Sequence, residues 1–189
     1  TSVGITANAA TNTADAYAYV VYPVNVTKDS SLRIKGKVYF GDASSSNGPA
    51  LIIHNGTSCV AYRATTSEGV KNVVVSTCPD MLKTGGNGYS YYSGYSKGGL
   101  TKQDLYAEVS VENGQATMNL YDAKGGLIAT KSNNFSDYFK DGAVVNLAFG
   151  GNQTDKMLIS DIHIIEDGVD KLVTKIDNGG LAGLSVEET

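Results

Sequence analysis

Four tyrosines in a glycine-rich stretch are the residues of this sequence best suited to ligand chemistry. Tyr89, Tyr91, Tyr92 and Tyr95 lie in GGNGYSYYSGYSKGG, with Asn87 beside them. A tyrosine ring can stack on the C–H face of a sugar while its hydroxyl, or a nearby amide, bonds to a sugar hydroxyl. Antibody loops use the same mixture of Tyr, Ser and Gly for rigid contacts. The alternative is that these tyrosines fold back and cover one end of the domain.

The strand segment Ala16–Tyr22 offers a second aromatic surface. Its sequence, AYAYVVY, places Tyr17 and Tyr19 on one face and Tyr22 on the other. Exposed tyrosines on either face would form a flat platform for a sugar. The alternative is that they only occupy half-buried strand positions, which is the commoner role of tyrosine in a sheet.

The spacing of acids and histidines along the sequence shows no recognisable catalytic motif. Glycosidases use two carboxyl groups that face each other across a cleft. Glu108 and Glu112 share a strand face and Asp161 lies on a later strand, but no motif brings them together. Such acids are more often solvated charges on the outer face of a sheet. His54 and His163 are too few for a histidine metal site. We therefore predict no catalytic residue.

The overall composition argues against two kinds of partner. The 189-residue chain carries 15 Lys and Arg against 19 Asp and Glu, and no basic cluster that would suit nucleic acid. No apolar stretch approaches the roughly 20 residues that a membrane helix requires. With 41% hydrophobic residues, the chain has enough apolar surface for one packed core.

Cys59 and Cys78 are the two cysteines, and each lies in or beside a β-branched run. A disulfide between them would contribute about 3 kcal/mol to stability in an oxidising compartment. The alternative is a pair of buried free thiols, since cysteine often only fills a core. The bridged form fits a secreted or cell-surface protein.

The elements that must position these residues are short strands. Twenty-two glycines and three prolines describe strands joined by polar turns, with little helix. Strands in the number and spacing found here indicate a sandwich or a barrel. We place one domain at residues 1–168, extended by a strand to about residue 176, and a tail or linker at 177–189. The predicted strands cover residues 16–22, 32–40, 51–54, 58–64, 70–76, 105–111, 115–121, 127–132, 143–149 and 157–165.

Two strand patterns are especially regular. Residues 32–40 alternate apolar with basic side chains, which predicts a half-buried antiparallel strand with a charged outer face. Residues 105–121 form two alternating runs joined at Glu112-Asn113-Gly114, which predicts a hairpin. Strict alternation along the last run, residues 157–165, places Ser160 and Ile162 on one face.

A family resemblance is carried by residues 105–168. The series LYAEVSVENGQATMNLYDAKGGLIATKS, VVNLAFGG and KMLISDIHIIEDG reads as a meander of long strands, a strand ending in glycines and a closing strand. This series resembles the second half of the concanavalin A-like and laminin G-like lectin sandwiches. The resemblance implies an all-β jelly roll, a two-sheet antiparallel β-sandwich whose concave face or rim loops bind glycans.

The resemblance also implies a cofactor, because these families often carry a structural calcium ion. Oxygen ligands for one are available at Asp167, Asp170, Asp177 and Asn178, although no EF-hand spacing is present. We predict no other cofactor.

One short motif is similar to an enzyme motif on the same fold. Tyr138–Gly142, YFKDG, resembles the YFKAG-like strand of alginate-type polysaccharide lyases. The upstream arginine-glutamate strand of that family is missing here, and the Ile162-His163 pair follows the motif instead of preceding it. The match therefore does not outweigh a non-catalytic interpretation.

The sequence as a whole predicts a non-catalytic carbohydrate-binding module of an extracellular or cell-surface protein, in which tyrosines stack on a starch-like α-glucan or a plant polysaccharide. Other domains of a larger protein are further expected partners. One alternative is an adhesin or structural sandwich domain that binds a protein, and a third is a glycoside hydrolase or polysaccharide lyase.

Overall fold

The computed structural model describes residues 3–7, 17–24, 29–40, 49–54, 58–64, 71–77, 94–95, 102–134, 143–150, 157–175 and 184–188. Within these ranges the chain forms fourteen strands and no helix, so none of them holds a helix able to cross a membrane. The first seven strands are β1 (Val3–Ala7), β2 (Tyr17–Val24), β3 (Ser31–Phe40), β4 (Pro49–His54), β5 (Ser58–Ala64), β6 (Lys71–Thr77) and β7 (Gly94–Tyr95). The others are β8 (Leu105–Glu112), β9 (Gln115–Tyr121), β10 (Leu127–Asn134), β11 (Ala143–Gly150), β12 (Met157–Glu166), β13 (Val169–Leu172) and β14 (Leu184–Glu188).

The strands build two antiparallel sheets. Sheet A has the order β10-β9-β8-β3-β12-β1-β14, with β13 also paired to β12, and sheet B has the order β2-β11-β4-β5-β6-β7. Strands β4 and β5 of sheet B pack over β3, β8 and β9 of sheet A. The predicted all-β, two-sheet jelly-roll sandwich is confirmed.

The core lies between the sheets and follows the predicted alternation. On β3, Ile34 and Val38 are buried while Lys35 and Lys37 between them reach the outer face. Burial of such side chains supplies the main driving force for folding, roughly 1.5–3 kcal/mol for each large aliphatic residue. The largest fully buried side chains are Leu32, Ile34, Leu51, Ile52, Ile53 and Met118.

A β-bulge interrupts β12 and changes which residues face outward. The register against β3 shifts between Ser160 and His163, and Asp161 has a φ of 51°. Ser160 lies opposite the outward-facing Lys37, whereas Ile162 lies beside the buried Ile159 on the inner side of Gly36, so the extra residue puts Ser160 and Ile162 on different faces. The structure thus corrects the strict alternation predicted for this strand, which had put Ser160 and Ile162 on the same face.

The C-terminal segment contributes a strand. Residues 184–188 form β14, which pairs with β1 from Leu184 opposite Ala7 to Glu188 opposite Val3. The structure therefore differs at these five residues from the tail predicted for 177–189. Without β14 the backbone groups along one edge of β1 would be unpaired, and the hydrogen bonds of a short strand there outweigh the weak local pattern. The domain boundaries themselves stay a prediction.

The buried phenol of Tyr62 predicts a loss of stability in alkali. Tyr62 lies on β5, and burial raises the pKa of its hydroxyl far above the ordinary value. As the pH rises, the unfolded chain therefore loses this proton before the folded chain does. Below about pH 10 the protonation of Tyr62 costs the folded state no stability. Above about pH 10 the free energy of unfolding falls by about 1.4 kcal/mol per pH unit. Urea unfolding between about pH 8 and 11 measures the slope. Tyr62→Phe, which lacks the ionisable group, should flatten it; equal slopes for both proteins would contradict the prediction.

Candidate functional site

The outer face of sheet A brings four neighbouring strands together in the order β9-β8-β3-β12. Tyr106 on β8 lies opposite Tyr121 on β9. Lys35 on β3 lies opposite Glu108 on one side and His163 on the other. Adjacent strands are about 4.8 Å apart, so these side chains share one patch of surface.

These side chains surround a pocket, which we call the sheet A pocket. Its volume is ≈ 160 Å³, close to the roughly 150 Å³ of cavities that hold one benzene molecule. The pocket therefore has room for a single six-membered ring, and one side is open to solvent. Its lining residues are Lys35, Gly36, Tyr106, Ala107, Glu108, Tyr121, Asp161 and His163.

The two tyrosines form the aromatic part of this pocket. Tyr106 is 37% exposed and Tyr121 is half-buried. Directly opposed residues of an antiparallel pair have Cβ atoms about 5 Å apart, so the two phenols lie side by side. Both are held by regular strands, which position side chains more accurately than loops do.

His163 connects the pocket to two carboxylates. Its Nδ1 lies 2.7 Å from Oδ1 of Asp170 on β13, and its Nε2 lies 3.3 Å from Oδ1 of Asp161. When doubly protonated, the ring donates to both acids. The 3.3 Å contact is the longer one, and the Asp161 side chain is 54% exposed. Asp161 therefore keeps oxygen lone pairs available to a ligand.

The bulge gives Asp161 its place in the pocket. A φ of 51° is uncommon for a residue other than glycine and costs on the order of 1 kcal/mol or more. Bulges of this kind often lie beside binding sites, where they redirect a side chain. Here the redirected group is a carboxylate at the rim of a cavity.

Ion pairs cross the same face beside the pocket. Arg33 lies 3.5 Å from Glu108 and 3.7 Å from Glu112, and Lys37 lies 3.3 Å from Asp104. Within the part of the chain that the structure describes, the Lys35 side chain has no such partner.

The predicted tyrosine-rich site is not tested by the structure. Tyr89, Tyr91, Tyr92 and Asn87 lie outside the described residues, and of Tyr95 the structure gives the backbone, which pairs with Val73 in β7. These residues stay a predicted contact.

The disulfide likewise stays a prediction. Cys59 lies on β5 opposite Ser76, and Cys78 is outside the described ranges.

Sequence reasoning missed the tyrosine pair although the signal was present. The hairpin turn is Asn113-Gly114, and both residues have the positive φ of a two-residue turn. Counting outward from this turn places Glu112 opposite Gln115 and Tyr106 opposite Tyr121. The pair was therefore readable from the register, whereas its approach to β12 was not.

The candidate calcium ligands do not form a site in the described structure. Oδ1 of Asp167 accepts a hydrogen bond of 2.8 Å from the backbone N–H of Ser31, and Asp170 is bonded to His163. Asp177 and Asn178 lie outside the described ranges. Within the described ranges, no group of three or more His, Cys, Asp or Glu could hold a metal ion. A structural calcium ion therefore stays a prediction.

This chain is similar to known proteins in its fold but not in its sequence. No family model and no curated protein matches this sequence. The exoplasmic/lumenal domain of VIP36, solved with Ca²⁺ and Man3GlcNAc, superposes with a TM-score of 0.50 and 12% identity, covering 76% of this chain and 70% of that one.

Two further structures are less similar. The CBM2 module of the Lactobacillus casei BL23 phage J-1 evolved Dit has a TM-score of 0.46 and 14% identity over 81% of this chain and 70% of that one. A family 7 alginate lyase, A1-II′, superposes with a TM-score of 0.44 and 13% sequence identity over 78% of this chain. The match covers 66% of that lyase, just under two thirds of its length. With its two antiparallel sheets, the chain has the concanavalin A-like, lectin-type sandwich fold that the sequence resemblance implied.

Proposed function

We propose that this protein is a non-catalytic carbohydrate-binding module of an extracellular or cell-surface protein, and that the sheet A pocket binds a sugar ring of a polysaccharide. The observation that carries the proposal is the pair of half-exposed tyrosines, Tyr106 and Tyr121, beside a cavity sized for one ring. Concave sites with aromatic walls and a few polar groups are the usual form of small-ligand sites.

The polar lining matches the hydrogen-bonding needs of a sugar. Each sugar hydroxyl is both a donor and an acceptor. Lys35 offers donors only, while the carboxylates of Glu108 and Asp161 offer acceptors only. Donors and acceptors therefore lie at the same cavity as the phenol rings, so one ring can stack and hydrogen-bond at once.

The carboxylates of the pocket support binding more than hydrolysis. A glycosidase needs one carboxyl group that carries a proton for the leaving oxygen. Glu108 lies 3.5 Å from Arg33, and Asp161 lies 3.3 Å from His163. Each acid thus has a basic partner, which suits a hydrogen-bond acceptor better than a proton donor.

A second candidate is a carbohydrate-active enzyme, and His163 favours it. The 2.7 Å contact between its Nδ1 and Asp170 fixes the orientation of the ring, as a carboxylate does beside a general-base histidine. The test of the function must therefore detect cleavage as well as binding.

Affinity electrophoresis against starch-like glucans and plant polysaccharides tests the proposed function. We expect at least one polysaccharide to retard the protein, with no release of reducing or unsaturated sugar ends in the same mixture. Release of such ends would show an enzyme instead. A protein that is neither retarded nor active on any polysaccharide would favour the alternative of a protein-binding surface domain. Alanine variants of Tyr89, Tyr91, Tyr92 and Tyr95 measure the separate contribution of the predicted loop site.

A further inference from the structure

Among the described residues of strands β3, β8, β12 and β13, every charged side chain except that of Lys35 contacts a group of the opposite type. Arg33 lies 3.5 Å from Glu108, Lys37 lies 3.3 Å from Asp104, and Lys171 lies 3.6 Å from Glu166. Among the residues that the structure describes, no hydrogen bond or ion pair is made by the ammonium of Lys35. Lys35 lines the sheet A pocket and is half-buried.

The acids around Lys35 each contact a basic side chain other than Lys35. Glu108 on β8 lies directly opposite Lys35 but pairs with Arg33. Asp161 and Asp170 on the other side hold the two nitrogens of His163. An anion bound in the pocket would give this ammonium a charge-assisted hydrogen bond, which is about twice as strong as a neutral one. The group that would complete the pocket is therefore an anion placed above Lys35.

We propose that the natural ligand of the sheet A pocket is an acidic sugar, a hexuronate whose carboxylate pairs with the Lys35 ammonium. This inference rests on the proposed glycan-binding function and names its ligand class. The ring stacks on Tyr106 and Tyr121, and its hydroxyls donate to Glu108 and Asp161. A carboxylate fits better than a phosphate group, because a single lysine neutralises one negative charge and a phosphate ester carries up to two. A more highly charged group would also be repelled by the two acids.

The experiment compares two forms of one oligosaccharide by isothermal titration calorimetry. The acidic form is an oligogalacturonide, and the neutral form is the same chain after its carboxyl groups have been reduced to alcohols. We expect the acidic form to bind about tenfold more tightly, the factor typical of one hydrogen bond to a charged group.

Two variants on the same strand separate the role of Lys35 from a general effect of charge. Lys35→Gln should abolish the preference for the acidic form, while Lys35→Arg should retain most of it. Lys37→Gln is the matched control, because Lys37 lies two residues away on the same face, is paired with Asp104 and does not line the pocket. It should leave the preference unchanged. Circular dichroism and the melting temperature check that each variant is folded.

The outcomes distinguish this inference from the proposed function. If the neutral form binds as tightly as the acidic one, or Lys35→Gln keeps the preference, the acidic-sugar inference is wrong and glycan binding stands. If neither form nor any polysaccharide binds the wild-type protein, the proposed function itself fails.

Discussion

Replacing Tyr106 and Tyr121 together by alanine is expected to weaken polysaccharide binding at least about 30-fold, the effect of losing the central aromatic contacts of a binding site. The two phenols are the largest side chains around the cavity and lie opposite each other on β8 and β9. Their removal takes away the stacking surface, while the lysine and the acids of the pocket remain. Calorimetry with the oligosaccharide form that binds the wild-type protein measures the effect.

Tyrosine-to-phenylalanine changes at the same positions are the matched control. Tyr106→Phe with Tyr121→Phe keeps both rings and removes both hydroxyls, so most of the affinity should remain if stacking dominates. Both side chains lie on the outer face of sheet A, so the alanine variant should still fold. Alanine and phenylalanine variants that bind as tightly as the wild-type protein would remove the tyrosine pair from the site.

Ile34→Ala is expected to lower the free energy of unfolding by about 2–5 kcal/mol, the usual cost of truncating a fully buried aliphatic side chain. Ile34 has no exposed surface and lies on β3, between β8 and β12. Its removal leaves a cavity beneath the strand that carries Lys35. Urea unfolding measures the change.

Leu127→Ala is the control for this substitution. Leu127 is 57% exposed at the start of β10, and changes at exposed positions usually stay within about 0.5 kcal/mol. Equal destabilisation by the two variants would mean that β3 does not form the centre of the core.

Local patterns in the sequence predicted much of sheet A. The alternation along residues 32–40 gives the burial of Ile34 and the exposure of Lys35 because side chains alternate strictly in an uninterrupted strand. The Asn113-Gly114 turn fixes the register of the β8–β9 hairpin, because a two-residue loop leaves only one pairing. Elements closed by short turns are readable in this way.

Long-range pairing and irregular backbone were not readable. No local sequence pattern marks the bulge at Asp161. Strict alternation therefore placed Ile162 on the same face of the sheet as Ser160, which is wrong. The pairing of β1 with β14 joins residues at opposite ends of the chain, and no local pattern encodes it. The pocket depends on the position of β3 between β8 and β12, which brings Glu108, Lys35 and His163 into one row. Such a row is fixed by the packing of the whole sheet rather than by any one segment.

The most direct test of the central claim is a nuclear magnetic resonance titration of the isotope-labelled protein with the oligosaccharide that binds it. If the sheet A pocket binds the sugar, the backbone signals of its lining residues shift together and saturate at one ligand per chain, among them Lys35, Tyr106, Glu108, Tyr121 and His163. Shifts confined to residues 78–101, or to any other region outside β3, β8, β9 and β12, would contradict this claim and place the glycan elsewhere on the domain.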